Sequence, residues 1–124
     1  MKKLILILAA AMLLVGCKKE EEPEKDATYS FVNNLSQYYY VDITIMECAE
    51  NGDVIKSYNI DRAITGKVYS YTAQKMTVKV KIFLDMTYGT WEYHKWINQV
   101  FYLTKGDNTN IELNPDTILS TDEP

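Results

Sequence analysis

The chain's 124 residues include one histidine, His94, so imidazole chemistry rests on a single ring and a site of several histidines is excluded. Its partner for nucleophilic catalysis would be Cys48, whose thiolate needs a base within hydrogen-bonding reach. The other reading of Cys48 is a covered, inert thiol at the end of a strand. Asp107, Asn108, Asn110 and Glu112 gather oxygen donors of the kind calcium uses. They lack the spacing of an EF-hand loop, and a plain turn accounts for them. No two acids stand in a motif for glycoside hydrolysis. The expectation is a chain with no catalytic residue, no metal ligand set and no cofactor.

The aromatic residues are the other chemistry-bearing group. Ten tyrosines and two tryptophans cluster at Tyr38-Tyr39-Tyr40, at Tyr69 and Tyr71, and from Tyr88 to Trp96. Exposed on rigid strands, such rings make flat contact surfaces at low entropic cost, either for a protein interface or for stacking on sugar rings. Neighbours in a strand face opposite ways, so at least one of Tyr38 to Tyr40 must point away from a core. Trp91, Tyr93, Trp96, Tyr38 and Tyr40 are therefore the candidate ligand-binding residues, with Phe83 between Lys81 and Asp85 raising the same question. The alternative is that these rings fill the core and its rim.

What must position them is a set of strands. From Ala27 to Leu119, Val, Ile and Thr supply 26 residues and Phe, Trp and Tyr 15, against nine for Ala and Leu together. That ratio favours strand over helix. Val78, Val80, Ile82 and Leu84 alternate with Thr77, Lys79, Lys81, Phe83 and Asp85, which predicts a half-buried strand over Thr77 to Asp85. Tyr39, Val41, Ile43 and Ile45 alternate in the same way within Tyr38 to Cys48. The turn Asn51-Gly52-Asp53 then returns the chain as Val54 to Ile60. Further strands are predicted at Thr28 to Asn33, Val68 to Ala73, Trp91 to Thr104 and Thr109 to Leu113, the last two joined by Lys105-Gly106-Asp107-Asn108. The Trp91 segment is long enough to hold a bulge, and large apolar groups on both of its parities predict a change of face or a buried strand. Seven strands at this spacing predict a single all-β Greek-key sandwich of immunoglobulin-like or transthyretin-like type, with a closed barrel as the alternative.

Ahead of the domain stands a different kind of segment. Met1, Lys2 and Lys3 precede an unbroken apolar run, Leu4 to Val15. As a helix its 12 residues span roughly 18 Å, short of the ~30 Å hydrocarbon core, so it reads as the apolar region of a signal peptide. The run ends in Leu14-Val15-Gly16-Cys17, which resembles the bacterial lipobox. That resemblance implies a thioether-linked diacylglycerol on Cys17, cleavage after Gly16 and, in most Gram-negative species, a third acyl chain on the new N-terminus. Lys18 to Asp26 is charged at every position except Pro23 and reads as a solvated tether reaching at most about 30 Å. Its start, Lys18-Lys19-Glu20-Glu21-Glu22, resembles the bacteroidete-type lipoprotein export signal, which implies the outer leaflet facing the medium. A generic acidic linker on a periplasm-facing lipoprotein is the other possibility. Residue 18 is not Asp, so the inner-membrane retention signal of enteric bacteria is not matched.

The chain is thus divided into residues 1–16 (signal peptide), 17–26 (lipidated cysteine and tether), 27–119 (sandwich) and 120–124 (polar tail). As a whole it resembles the small β-sandwich lipoproteins of surface-lipoprotein-rich bacteria, and no motif within Ala27 to Leu119 carries a family's active residues with it. A formal charge of -4 without a basic patch argues against nucleic acid. The expected function is a lipid-anchored outer-membrane binding or accessory module, attached to the membrane through Cys17, with an envelope protein or a glycan as partner. The alternative is a structural or inhibitory envelope protein that binds another protein through a sheet edge.

Overall fold

A computed structural model describes residues 25–35 and 40–124. The readings made on residues 1–16, on Cys17 with most of the tether, and on Tyr38 and Tyr39 lie outside the described residues. Within them the chain is all β, two sheets packed face to face around one apolar core. The strands are β1 (Thr28–Asn33), β2 (Tyr40–Cys48), β3 (Val54–Ile60), β4 (Val68–Thr72), β5 (Lys79–Tyr88), β6 (Trp91–Ile97), β7 (Phe101–Tyr102), β8 (Asn108–Leu113) and β9 (Leu119–Ser120). The larger sheet runs β3-β2-β5-β6-β9, with β7 also on β5, and the smaller runs β4-β1-β8.

Alternation decides which side of each strand is buried. On β5, Val80, Ile82 and Leu84 are fully buried and Met86 nearly so, while Lys81, Phe83 and Asp85 on the other face are half-buried. On β2, Val41, Ile43 and Ile45 form the matching row. The smaller sheet answers with Tyr29 and Phe31 from β1 and Ile111 and Leu113 from β8. The β1–β8 pair is parallel, Thr28 opposite Asn108 through Asn33 opposite Leu113. Parallel neighbours need a long crossover, and here nearly the whole larger sheet lies between them in sequence.

The observed strands differ from the seven predicted in three respects. The predicted strand Trp91 to Thr104 is two strands. Phe83 faces Trp96 whereas Val80 faces Phe101, so three steps along β5 correspond to five along the other chain. The two extra residues preserve parity, so Ile97 and Phe101 still pack on the core. The second difference is a hairpin at Gly89-Thr90, where Tyr88 pairs with Trp91. A two-residue loop requires positive φ, and Gly89 supplies it at 61°. The third is at the C-terminus. Ser120, assigned to a polar tail, pairs with Trp96 in β9, and Glu123 reaches Lys81 with a 2.8 Å ion pair.

One polar group interrupts the core. Glu47 continues the inward row of β2 and is fully buried. Its Oε2 accepts the Tyr29 hydroxyl at 2.5 Å, and its Oε1 accepts the Gln74 N–H at 2.8 Å and the Thr77 hydroxyl at 3.2 Å. The carboxylate therefore ties β2 of one sheet to β1 of the other and to the 74–77 turn. Tyr71 stacks on Tyr29 at 5.3 Å and meets Tyr58 at 4.7 Å, so this set of rings belongs to the core.

Burial first, then the acidic neighbour Glu47, pushes the Tyr29 hydroxyl well above its ordinary 10.0. In the unfolded chain Tyr29 ionises near pH 10, whereas in the folded chain it stays protonated. The stability it contributes is whole below pH 10 and is lost as pH rises beyond, at about 1.4 kcal/mol per pH unit from this group. Urea midpoints are expected to fall steeply from about pH 10 to 11 in the native sequence. Tyr29→Phe should flatten that limb while lowering the plateau; an unchanged limb would show that Tyr29 does not drive it.

Candidate functional site

The five candidate aromatic residues do not form one surface. Trp91 and Tyr93 stand opposite Tyr88 and Met86 and therefore share the inward face of the larger sheet. The smaller sheet, only three strands wide, covers Met86 but stops short of this corner. Trp91 is 66% exposed, Tyr88 46% and Tyr93 39%, whereas Ile97 on the same face is buried. Trp96 lies on the opposite, outward face, half-buried and edge-on to Phe83 with ring centres 5.0 Å apart. Tyr40 is also on the outward face, at the start of β2, with the Arg62 guanidinium 4.5 Å from its ring centre. The sheet itself separates Trp91 and Tyr93 from Trp96 and Tyr40, because adjacent parities of a strand point to opposite sides. Tyr38 lies outside the described residues.

Arg62 owes its place to the turn after β3. Its φ is 49°, a left-handed conformation uncommon for a residue with a side chain. The Arg62 N–H donates to Asp42 Oδ1 at 2.7 Å, and the guanidinium over Tyr40 adds a cation–π contact. Tyr40 is 55% exposed, with the guanidinium over its ring.

The remaining candidates are dispersed. Cys48 is opposite Lys79 and His94 opposite Asp85, so the two are six positions apart along β5, roughly 20 Å. The thiol and the imidazole do not converge. Cys48 is buried, and its thiol is pushed up chiefly by that burial. His94 instead contacts the Asp85 carboxylate through Nδ1, with Glu92 3.8 Å from Nε2. Asn108, Asn110 and Glu112 form a row on the outward face of the smaller sheet. There Asn108 Oδ1 accepts from Thr28, Asn110 Oδ1 from Ser30, and Glu112 Oε2 from Asn34. A hollow of about 320 Å³ lies where the strand is interrupted between β6 and β7, bordered by Phe101, Glu112, Asn114 and Asp116, and contains none of the aromatic candidates.

The sandwich has two distinct ends. At one, the Asp26 carbonyl accepts the Gly106 N–H at 3.3 Å, Lys75 stands 3.7 Å from Asp26, and the Ala27 carbonyl accepts the Ala73 N–H at 2.9 Å. At the other are the Tyr88–Trp91 pair and the Arg62–Tyr40 contact. β5 runs from the first end to the second, about 30 Å over its ten residues. Tyr40, Tyr88, Trp91 and Tyr93 are thus exposed at the end opposite the one from which the N-terminal segment enters, while Tyr102, opposite Lys79, is exposed at the entry end.

The residue that sequence reasoning passed over is Glu47. Its parity with Val41, Ile43 and Ile45 was the available signal. Compared with protein-family models, with curated proteins and with solved structures, the chain matches none of them.

Proposed function

We propose that the protein is a non-catalytic binding module, lipid-anchored to the outer membrane through Cys17 and facing the medium, that meets its partner with the Tyr88, Trp91 and Tyr93 corner. The observation that carries this reading is the polarity of the sandwich. Asp26, the last residue of the tether, is tied to the 104–107 turn, and the Tyr88, Trp91 and Tyr93 rings lie about 30 Å away at the opposite end. A tether attached at one end leaves the other free to meet a partner. Two large rings and a third beside them, held on paired strands, lose little entropy on contact. The seed of the alternative, an envelope protein docking on a sheet edge, is the open flank of β6 alongside the same rings.

Protease treatment of intact cells tests the orientation. The domain is expected to be digested on whole cells, with a periplasmic marker spared. Survival on whole cells, with digestion only after lysis, would reject the outward-facing assignment.

A further inference from the structure

We infer that the partner of the Trp91–Tyr93 corner is a second copy of this chain, joined through the open edge of β6 in an antiparallel pair centred on Tyr93. The inference rests on the reading of this corner as a contact surface. β9 covers β6 only at Trp96 and Ile97, and among the described residues no strand pairs with Trp91 to Lys95 on that side. Four consecutive residues, Trp91 to His94, are exposed, so both faces and the flank of this stretch are open. The direction of the free groups follows from the chain itself. The Asn98 N–H donates to the Ile118 carbonyl at 2.9 Å, so residue 98 points its backbone away from β5. By alternation Trp96, His94 and Glu92 do the same, while Tyr93 points its own toward Met86. The N–H and C=O groups of Glu92 and His94 are therefore the ones offered to a partner.

The residues of this segment match an inverted copy of themselves. With Tyr93 on the two-fold axis, Glu92 stands opposite His94 of the second copy, and their backbones exchange paired hydrogen bonds at both sides of the axis. The imidazole's Nδ1 is held by Asp85 and its Nε2 already has the same chain's Glu92 at 3.8 Å, so pairing exchanges that contact for the equivalent one across the axis. On the other face Trp91 stands opposite Lys95, an indole against an ammonium, and the two Tyr93 rings meet on the axis. The register is bounded by the Gly89-Thr90 turn at one end and by β9 at the other, which leaves five residues and one centre. An unrelated peptide would meet the same backbone groups but would need this order of acid, ring and base supplied by chance. The two-fold turns one copy end for end, an arrangement that joins chains anchored on two facing surfaces.

The pair at the axis is of the non-hydrogen-bonded kind, with Cα atoms about 4.5 Å apart, within disulfide range. In the full chain, oxidised Tyr93→Cys is expected to give at least tenfold more covalent dimer than Tyr102→Cys, a control that is 69% exposed on β7. Adding Glu92→Pro should abolish the cross-link, because it removes an N–H that faces the open edge and none that bonds β5. Equal yields from the two cysteines, or a cross-link that survives Glu92→Pro, overturn the pairing. A chain that stays monomeric while the Tyr93→Cys thiol is shielded from maleimide on cells has another occupant at this corner, which overturns self-pairing and keeps the contact-surface reading. A monomeric chain whose thiol reacts freely on cells overturns both.

Discussion

Glu47→Ala is expected to destabilise the domain by about 3–5 kcal/mol, a large part of the ~5–15 kcal/mol that holds a domain of this size together. The carboxylate is fully buried and accepts from Tyr29, Gln74 and Thr77 at once. Removing it leaves three donors facing an apolar cavity, each costing about 1–3 kcal/mol, partly relieved where water enters. Glu47→Leu fills the volume but satisfies none of the donors, so it should cost nearly as much. Glu47→Gln keeps one carbonyl oxygen for Gln74 and Thr77, and its NH₂ can donate to the Tyr29 oxygen, so the loss should be only about 1–2 kcal/mol. Urea unfolding followed by circular dichroism reads all three. An alanine variant as stable as the glutamine variant would show that the bridge between the sheets contributes little.

The second large effect concerns the anchor. Each buried CH₂ contributes about 0.8 kcal/mol, and a single acyl chain still gives only reversible binding, so the two or three chains that the proposal puts on Cys17 convert transient contact into permanent attachment. Cys17→Ser is expected to abolish incorporation of labelled palmitate and to leave residues 1–16 on the chain, read as an intact mass about 1.7 kDa above that of the cleaved, unlipidated protein. The sandwich should unfold at the same urea concentration as before, since its apolar core is built from residues Ala27 to Leu119. Palmitate retained by the serine variant would reject the assignment of Cys17.

Much of the fold was legible because period-two alternation is a local property. Val80, Ile82, Leu84 and Val41, Ile43, Ile45 announce their buried faces without reference to any partner, and the predicted spans of β1, β3 and β8 agree with those observed to within a residue. The hairpin at Gly89-Thr90 was legible in principle, but aromatic density around it drew attention to side chains instead of the turn. The break between β6 and β7 was anticipated as a bulge from the length of the segment, though not as a division into two strands. β9 was not legible: two residues carry no period, and Ser120 is in a strand only because Trp96 offers it a free edge.

The grouping of the candidate aromatic residues was legible only in part. Trp91 and Tyr93 come together because they are two apart on one strand, and Trp96 leaves them because it is an odd number of residues away. That much parity could have told. What it could not tell is which parity is covered, since coverage depends on the width of the opposing sheet. Tyr69, Tyr71 and Tyr58 are as aromatic as Tyr88 and Tyr93, yet the first two, on β4 of the three-stranded sheet, and Tyr58, on β3 of the larger one, pack against the core, while Tyr88 and Tyr93 stay exposed. By itself the sequence determined the class of the fold, the alternating rows that build its core, and the charged run that precedes it. Only the tertiary structure decided that Glu47 bridges the sheets, that Cys48 and His94 stay apart, and that Trp91 is left exposed on the inward face of its sheet while Tyr29 is enclosed. Exposure is set by what the second layer covers, and that layer is assembled from strands far apart in the chain.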